Sequence, residues 1–182
     1  MANTAWYLFN FRLGLLKGLL DKGHRVTILA PKDATSIKLE ETGCRFLHLQ
    51  MNNQGLNPVA DIRLRNHLEA IYETILPDLT MHYTAKPVLY GSMAAAILGI
   101  PFVNNITGLG TAFIQRNWVT SLVKFLYKIS QRKASFLFFQ NWEDQALFEH
   151  ECLIPESVPR KVVPGTGVDM EKFIALPYSS AE

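Results

Sequence analysis

Short apolar runs alternate with longer amphipathic segments along most of this chain. Apolar side chains recur every three or four residues between Leu8 and Lys22, which predicts a helix that ends at Gly23. The next segment, residues 25–30, is β-branched and apolar and predicts a strand. The same criteria predict further strands at 44–49, 79–83, 102–106, 135–140 and 161–163, and helices at 35–42, 61–76, 86–98, 117–132 and 143–152. This order predicts an α/β fold, a Rossmann-like doubly wound parallel sheet whose ligands bind at the carboxyl ends of the strands.

The two ends of the chain depart from this rhythm. Only Ala2-Asn3-Thr4 is left for the first strand, which is normally central in such a sheet, so we expect a truncated strand and a loss of stability. Near the other end, Gly165-Thr166-Gly167 is interpreted as an interdomain hinge. We therefore predict one Rossmann-like domain at 1–164, and at 165–182 the hinge and the start of an absent C-terminal domain.

Composition narrows the class of protein. A chain of 182 residues that is 48% hydrophobic and 19% charged is long and apolar enough to fold around a substantial core. A net charge of +2 does not favour nucleic acid as a partner. Cys44 and Cys152 lack the spacing of metal ligands, so we expect reduced thiols, no metal site and a cytoplasmic protein. We find no signal peptide and no apolar run of the roughly 18 residues that a membrane span requires.

The best candidate site is the polar loop that follows the predicted strand 102–106. Two glycines allow backbone amides to approach a ligand, and the Asn and Thr side chains can bind hydroxyls. These candidate residues are Asn105, Thr107, Gly108 and Gly110. A second group lies at the end of the strand 79–83: His82 is near the end of the strand, and Thr84 and Lys86 face the start of the next helix, which could hold an anion or hydroxyls. For His82 the alternative is a buried structural histidine.

The first strand-to-helix turn contributes Asn3, Thr4, Trp6, Asn10 and Arg12. A dinucleotide site would need glycines in this turn, so its aromatic residues argue against nicotinamide or flavin cofactors. Aromatic faces favour a sugar or a lipid-linked acceptor, and Arg12 could meet a phosphate of that acceptor. The alternatives are that the aromatics cap the core and that Arg12 forms a surface ion pair.

The predicted helix 117–132 combines two stripes. Lys124, Lys128 and Arg132 recur every four residues, and an apolar stripe runs beside them. The apolar stripe consists of Trp118, Leu122, Phe125 and Ile129. Basic and aromatic residues on one helix are typical of an element that lies on an anionic membrane surface. The alternative is a solvated charged face above an ordinary core face.

Four stretches in order carry a resemblance to a known family: Asn3 to Val26, Pro77 to Gly91, Ile100 to Gly110, and Phe139 to Asp169. The chain resembles the N-terminal domain of retaining GT-B fold glycosyltransferases of the family-four type, most closely the bacterial members that build exopolysaccharide or O-antigen. The resemblance implies the acceptor-side half of a hexosyltransferase in polysaccharide biosynthesis, peripheral on the inner face of the cytoplasmic membrane. Its substrates would be a nucleotide-sugar donor and a glycan or lipid-linked acceptor, with no further cofactor.

In this family the C-terminal domain supplies most donor contacts, and the hinge loop, here Gly165, Thr166 and Gly167, lies near the donor phosphates. The resemblance therefore implies that the fragment is inactive alone, and it identifies no catalytic residue. Two alternatives stay open: a nucleotide-sugar epimerase-like lobe of similar two-lobe shape, and a non-catalytic fragment that binds a membrane or a partner. Hydrolysis is disfavoured, because no paired carboxylates follow the strands.

Overall fold

The computed structural model describes residues 1–52, 57–108 and 118–167. The helices are α1 (Ala5–Asp21), α2 (Ser36–Glu41), α3 (Pro58–Ile75), α4 (Ser92–Leu98), α5 (Trp118–Ser130) and α6 (Trp142–His150), with a π-helical turn, Pro87–Gly91, directly before α4. The strands are β1 (Thr27–Ala30), β2 (Arg45–His48), β3 (Thr80–Tyr83), β4 (Phe102–Ile106), β5 (Phe136–Phe139) and β6 (Arg160–Val162).

All the strand pairs described are parallel. Strands β1 and β2 form one pair, and the other four strands form a sheet in the order β3-β4-β5-β6. Residues Met1–Asn3 lie between the two groups: the amide of Ala2 donates to the carbonyl of Leu29 in β1 (3.2 Å), and the amide of Tyr83 in β3 donates to the carbonyl of Met1 (2.9 Å). The chain start thus occupies the central position predicted for the first strand, through three residues that hydrogen-bond on both sides.

Helices cover the sheet on both faces, as doubly wound folds require. Helices α1 and α2 pack on one face, where Ile28 and Ala30 of β1 join Leu8 and Leu39 in one apolar cluster. On the opposite face Leu29 belongs to a larger cluster with side chains from the other helices; its members include Leu68, Tyr72, Val88, Ala94, Val123, Tyr127, Leu137, Phe139 and Phe148. The α/β doubly wound prediction is therefore confirmed.

Two helices begin three residues earlier than the apolar pattern predicts. The side chain of Thr4 accepts a hydrogen bond from the amide of Tyr7 (3.0 Å), so α1 begins at Ala5 rather than at Leu8. In the same way Asn57 accepts from the amide of Ala60 (3.1 Å) and starts α3 at Pro58. Polar caps extend a helix beyond the stretch in which its side chains need to be apolar.

Candidate functional site

The carboxyl ends of the strands meet along one edge of the sheet, which we call the rim; it is formed by Asn3, Thr4, Asp33, Thr84 and the segment 105–108. Two of the predicted site residues touch there, since the amide of Asn3 donates to the Oγ1 atom of Thr84 (3.1 Å). Thr84 has a φ of 68°, a left-handed conformation that non-glycine residues rarely adopt. Such strain is held only where the surrounding structure enforces it, and it is commonly found at binding sites.

A carboxylate from the loop that follows β1 lies at the amino end of α1. Asp33 accepts hydrogen bonds from the amide of Trp6 (2.8 Å) and from the amide and hydroxyl of Thr35. Partial burial alone would raise the pKa of Asp33, but these hydrogen bonds and one from the amide of Ala5 outweigh it, and the pKa lies below its ordinary value. A helix amino terminus is the position at which dinucleotide-binding folds hold a pyrophosphate. Here the chain's own anion fills it.

Sequence inspection missed Asp33. The signal was available, because a carboxylate three residues after the end of the strand beside the first one lies next to the first turn of a doubly wound fold. Trp6 itself is 53% exposed, and the side chain of Asn10 donates to the carbonyl of Trp6 (2.9 Å). Both predicted residues are therefore at the surface beside the capped helix end.

Lys86 forms a buried ion pair at the start of the π-helical turn. Its Nζ atom lies 2.8 Å from the Oδ1 atom of Asp61, and the hydroxyl of Tyr90 donates to Oδ2 of the same carboxylate (3.0 Å). Burial, followed by the charge of Asp61, raises the pKa of Tyr90, which keeps its hydroxyl a donor. Lys86 was predicted to hold an anionic ligand, and in the structure its charge is balanced by Asp61.

His82 is fully buried below the rim, in agreement with the structural alternative given for it. Its Nδ1 atom lies 2.8 Å from Oδ1 of Asn104 and its Nε2 atom 3.0 Å from the hydroxyl of Tyr72. Burial lowers the pKa of His82 to about 3, the nearby amino terminus adds to this effect, and the hydrogen bond to Asn104 opposes it. Because a carbonyl oxygen only accepts, Nδ1 of the neutral ring carries the proton and Nε2 accepts from Tyr72.

The His82 bond is part of a buried polar network that joins two strands of the sheet to two helices. The amide nitrogen of Asn104 donates to Ser92 (2.8 Å) and to Gln131, and Gln131 in turn donates to Ser130 (2.7 Å). Strands β3 and β4, helix α4 and the end of α5 are thereby tied together. The network thereby fixes the ends of β3 and β4, from which the rim residues Thr84 and Asn105 follow His82 and Asn104.

The loop after β4 supplies the remaining rim residues. Asn105 and Thr107 are half-buried, and Gly108 is exposed with a φ of 124° that favours glycine. The Oδ1 atom of Asn105 is buried and has no hydrogen-bond partner within the described part of the chain, so the acceptor is left for a ligand or water. Gly110 lies outside the described residues. The structure thus brings Asn3, Thr84 and Asn105 to one edge, because Tyr83 and Asn105 are paired across β3 and β4.

The predicted hinge residues Gly165, Thr166 and Gly167 are exposed and follow β6. Both glycines have positive φ angles, 65° and 74°, and the hydroxyl of Thr166 donates to the carbonyl of Gly167 (3.4 Å). The positive φ angles explain why glycine is needed at these two positions. Their role toward donor phosphates stays a prediction.

Helix α5 exposes its apolar stripe and buries a different face. Trp118 is 75% exposed and Phe125 58%, and Ile129 is also exposed, while Val123 and Tyr127 pack in the core. Lys124 pairs with Glu151 (2.7 Å), whereas Lys128 and Arg132 are exposed beside the aromatic residues. Three of the four stripe residues are therefore exposed and Leu122 is half-buried, whereas a different face of α5 packs in the core. Within the three described ranges, no helix has the length and apolarity to cross a bilayer.

Comparison with known proteins identifies relatives over most of the chain. A family model described as "Glycosyl transferase 4-like" matches residues 1–141. N,N'-diacetylbacillosaminyl-diphospho-undecaprenol alpha-1,3-N-acetylgalactosaminyltransferase of Campylobacter jejuni is 25% identical over 174 residues, which are 93% of this chain and 46% of that protein. The chain spans about half the length of the relatives that it matches.

Two solved structures illustrate the likeness of fold. Anabaena HepE in complex with UDP and glucose has a TM-score of 0.65 at 17% identity, over 97% of this chain and 46% of that one. The UDP-GlcNAc 2-epimerase of Methanocaldococcus jannaschii has a TM-score of 0.50 at 20% identity, over 80% of this chain and 41% of that one. These matches confirm the predicted GT-B type of Rossmann-like lobe, and because transferases and epimerases share it, the fold alone does not distinguish them.

Proposed function

This chain belongs to the glycosyl transferase 4-like family, and we propose that it forms the N-terminal, acceptor-side lobe of a glycosyltransferase in polysaccharide biosynthesis. In the intact enzyme, a sugar passes from a nucleotide-sugar donor, held mainly by a C-terminal domain, to a hydroxyl of a glycan or lipid-linked acceptor. Residues 1–164 form this lobe, and 165–182 form the hinge and the start of the donor-binding domain. The nucleotide sugar is a substrate, and no further cofactor takes part.

The observation that carries the acceptor assignment is the Asp33 carboxylate at the amino end of α1 (2.8 Å from the amide of Trp6). A second anion at that position would be repelled, so the place where Rossmann-like lobes bind a nucleotide diphosphate is closed here. The rim still offers polar groups for sugar hydroxyls. The name of the Campylobacter relative describes a diphospho-undecaprenol acceptor, which supports a lipid-linked acceptor for this chain as well.

Each rim residue has its own role in acceptor binding. Asn105 and Thr107 hydrogen-bond acceptor hydroxyls, Gly108 lets the backbone approach the sugar, and the exposed ring of Trp6 packs against its C–H face. The buried network of His82 and Asn104 fixes the strands from which these residues project. Transfer then takes place in the cleft between the two lobes.

A binding comparison on this chain tests the proposal. Titration with a farnesyl-diphosphate-linked N-acetylhexosamine and, separately, with UDP-N-acetylglucosamine is followed by amide chemical shifts. We expect saturable shifts at Thr84, Asn105 and Gly108 with the acceptor analogue only, and about 10-fold weaker binding for Asn105→Ala/Thr107→Ala. Thr74→Ala, an exposed threonine on α3, is the matched control. Binding of the UDP-sugar at the rim, with no response to the acceptor, would instead favour the epimerase alternative.

The same proposal places α5 on an anionic membrane. Its exposed Trp118 and Phe125 enter the headgroup region, and the exposed Lys128 and Arg132 approach anionic lipids. Lys124 contributes less than the sequence predicts, because Glu151 already pairs with it. A lobe that lies on the inner face of the cytoplasmic membrane reaches a lipid-linked acceptor without a membrane span.

Sedimentation with vesicles tests this placement. We expect this chain to sediment with phosphatidylglycerol-containing vesicles and not with phosphatidylcholine vesicles. Basic residues near an anionic surface contribute about 1 kcal/mol each, so Lys128→Ser/Arg132→Ser should weaken binding by roughly 30-fold. The matched control is Arg25→Ser/Lys161→Ser, which removes two exposed cations elsewhere. Equal effects of the two double variants would show non-specific attraction and contradict the assignment to α5.

A further inference from the structure

Arg12 is a buried cation on the inner side of α1, with only 8% of its surface exposed. A guanidinium keeps its charge at any pH at which proteins fold, so burial is costly unless an anion balances it. Within the described ranges 1–52, 57–108 and 118–167, no ion pair includes Arg12. The charge therefore lacks the partner that a buried arginine normally has.

Two tyrosine rings hold the guanidinium in place. Its carbon lies 4.5 Å from the ring centre of Tyr83 and 5.7 Å from that of Tyr7, and Nη2 donates to the hydroxyl of Tyr7 (3.0 Å). Cation–π contacts of this kind orient the planar group but do not neutralise it. Burial raises the pKa of Tyr83 to about 12, although the charge of Arg12 opposes this effect. Tyr83 therefore stays neutral beside the cation.

The Nε atom of Arg12 is buried and has no hydrogen-bond partner among the residues that the structure describes. An orphaned N–H on a charged group is rare in folded proteins and calls for an acceptor. Tyr83 is paired in register with Asn105, whose Oδ1 atom is also orphaned. The cation with the unused donor thus contacts the ring of Tyr83, and the residue with the unused acceptor is paired with Tyr83 across β3 and β4.

We infer that Arg12, held between Tyr7 and Tyr83, is the receptor for a phosphate group of the acceptor substrate, while Asn105 receives a hydroxyl of the sugar attached to it. Arginine binds phosphate through paired N–H donors, which suits an unused Nε. The Asp33 carboxylate lies at the amino end of α1, whereas Arg12, further along the same helix, has a buried N–H donor that no described residue accepts. This inference rests on the proposed acceptor-side function, but it concerns one subsite.

The experiment observes the Nε–H resonance of Arg12 directly in this chain, assigned with Arg12→Lys. Inorganic pyrophosphate, farnesyl diphosphate and acetate are titrated separately. We expect saturable shifts of this resonance with both diphosphates and none with acetate; tighter binding of farnesyl diphosphate identifies a lipid-linked source, and equal binding a phosphate alone. Arg12→Gln should weaken pyrophosphate binding by about 10-fold or more. Lys17→Gln, an exposed cation on the same helix, should leave it unchanged.

An absent shift of the Nε–H resonance at saturating diphosphate, or equal diphosphate binding by folded Arg12→Gln, would overturn the inference. An equal response to acetate would also overturn the inference, because it would mean that Arg12 lies in a general anion site. Failure here is distinguishable from failure of the proposed function, which is measured by the rim shifts at Thr84 and Gly108. If Arg12→Gln does not fold, the wild-type titration decides alone, and Tyr7→Phe, which frees Nη2, should retain diphosphate binding.

Discussion

The carboxylate of Asp33 lies 2.8 Å from the backbone amide of Trp6 and closes the amino end of α1. These residues are 27 positions apart in the chain and meet because β1 and the start of α1 reach the same edge of the sheet. One interaction therefore serves two purposes. It caps a helix whose first turn contains no acidic residue of its own, and it places a negative charge where an external phosphate would otherwise be expected to bind.

Replacement of Asp33 tests both purposes. We expect Asp33→Ala to lower the free energy of unfolding by about 1–2 kcal/mol, because the amides at the start of α1 lose their acceptor. The variant should also gain weak phosphate binding, visible as saturable shifts of the Ala5 and Trp6 amides. Asp78→Ala removes an exposed carboxylate elsewhere and serves as the control for urea unfolding and for the titration. Phosphate shifts of equal size in wild type and variant would mean that the helix end is open.

Replacement by alanine should lower the free energy of unfolding at Gly91 and raise it at Gly18. A Cβ atom at Gly91 would lie 2.6 Å from Cε of Met1 and 2.8 Å from Nε2 of His82, so Gly91→Ala should destabilise by about 1–3 kcal/mol. At Gly18, in α1, the Cβ atom would meet nothing within 4 Å, and alanine should stabilise by about 0.5–1 kcal/mol. Thermal melts measure both, at roughly 2–4 °C per kcal/mol for a chain of this length. An unchanged melting temperature for Gly91→Ala would show that the side chains of Met1 and His82 can shift to accommodate the added methyl group.

The buried ion pair between Asp61 and Lys86 should show strong coupling. Asp61→Asn or Lys86→Met alone leaves one buried charge unpaired, at a cost of about 3 kcal/mol, and the double variant should cost clearly less than the sum. The half-exposed pair Lys124–Glu151 provides the matched cycle, with coupling expected below about 1 kcal/mol. Urea unfolding of both cycles gives the comparison. Similar coupling in the two pairs would contradict the burial-dependent explanation.

His82 should make the protein less stable in acid. The pKa of His82 falls to about 3 in the folded state, against about 6.5 when unfolded, so the unfolded state binds the extra proton. The stabilisation is complete above pH 6.5 and is lost as the pH falls toward 3, at about 1.4 kcal/mol per pH unit from this one group. Unfolding measured from pH 7 to 4 should have a shallower slope in His82→Gln.

The pH prediction has a matched control on the surface. His67 is exposed on α3, and His67→Gln should leave the slope unchanged. The amino group of Met1, which donates to the carbonyl of Met81 (2.7 Å), has its pKa lowered by burial to about 5 and acts in the same direction. Its contribution is common to all variants and cancels in the comparison. A slope in His82→Gln equal to that of wild type would show that His82 is protonated in the folded protein.

Local pattern predicted the elements well. Strand β4 has the bounds 102–106 that its apolar run predicts, and α5 lies within the predicted helix 117–132. The exceptions were helix starts, since Thr4 and Asn57 begin their helices through side-chain caps. Periodicity and capping depend on residues a few positions apart, so a sequence contains them in full.

The candidate site was predicted only in outline. Thr84 and Asn105 do lie at the carboxyl ends of neighbouring strands, as a doubly wound topology requires. The partners of the charged residues could not be predicted: Lys86 pairs with Asp61, Lys124 with Glu151, and Arg12 with no carboxylate in the ranges described. Likewise, the outward face of α5 follows from what packs beneath the helix and not from its own sequence.

The amino-acid sequence alone determined the order of strands and helices, the parallel sheet and the edge at which the candidate site lies, because each follows from short-range periodicity and the handedness of crossovers. Only the tertiary structure decided that Asp33 closes the end of α1, that His82 is a neutral core residue and that Arg12 is a buried cation without a described carboxylate partner. The physical reason is that burial and pairing depend on residues far apart in the chain, whose distances exist only after the layers have packed.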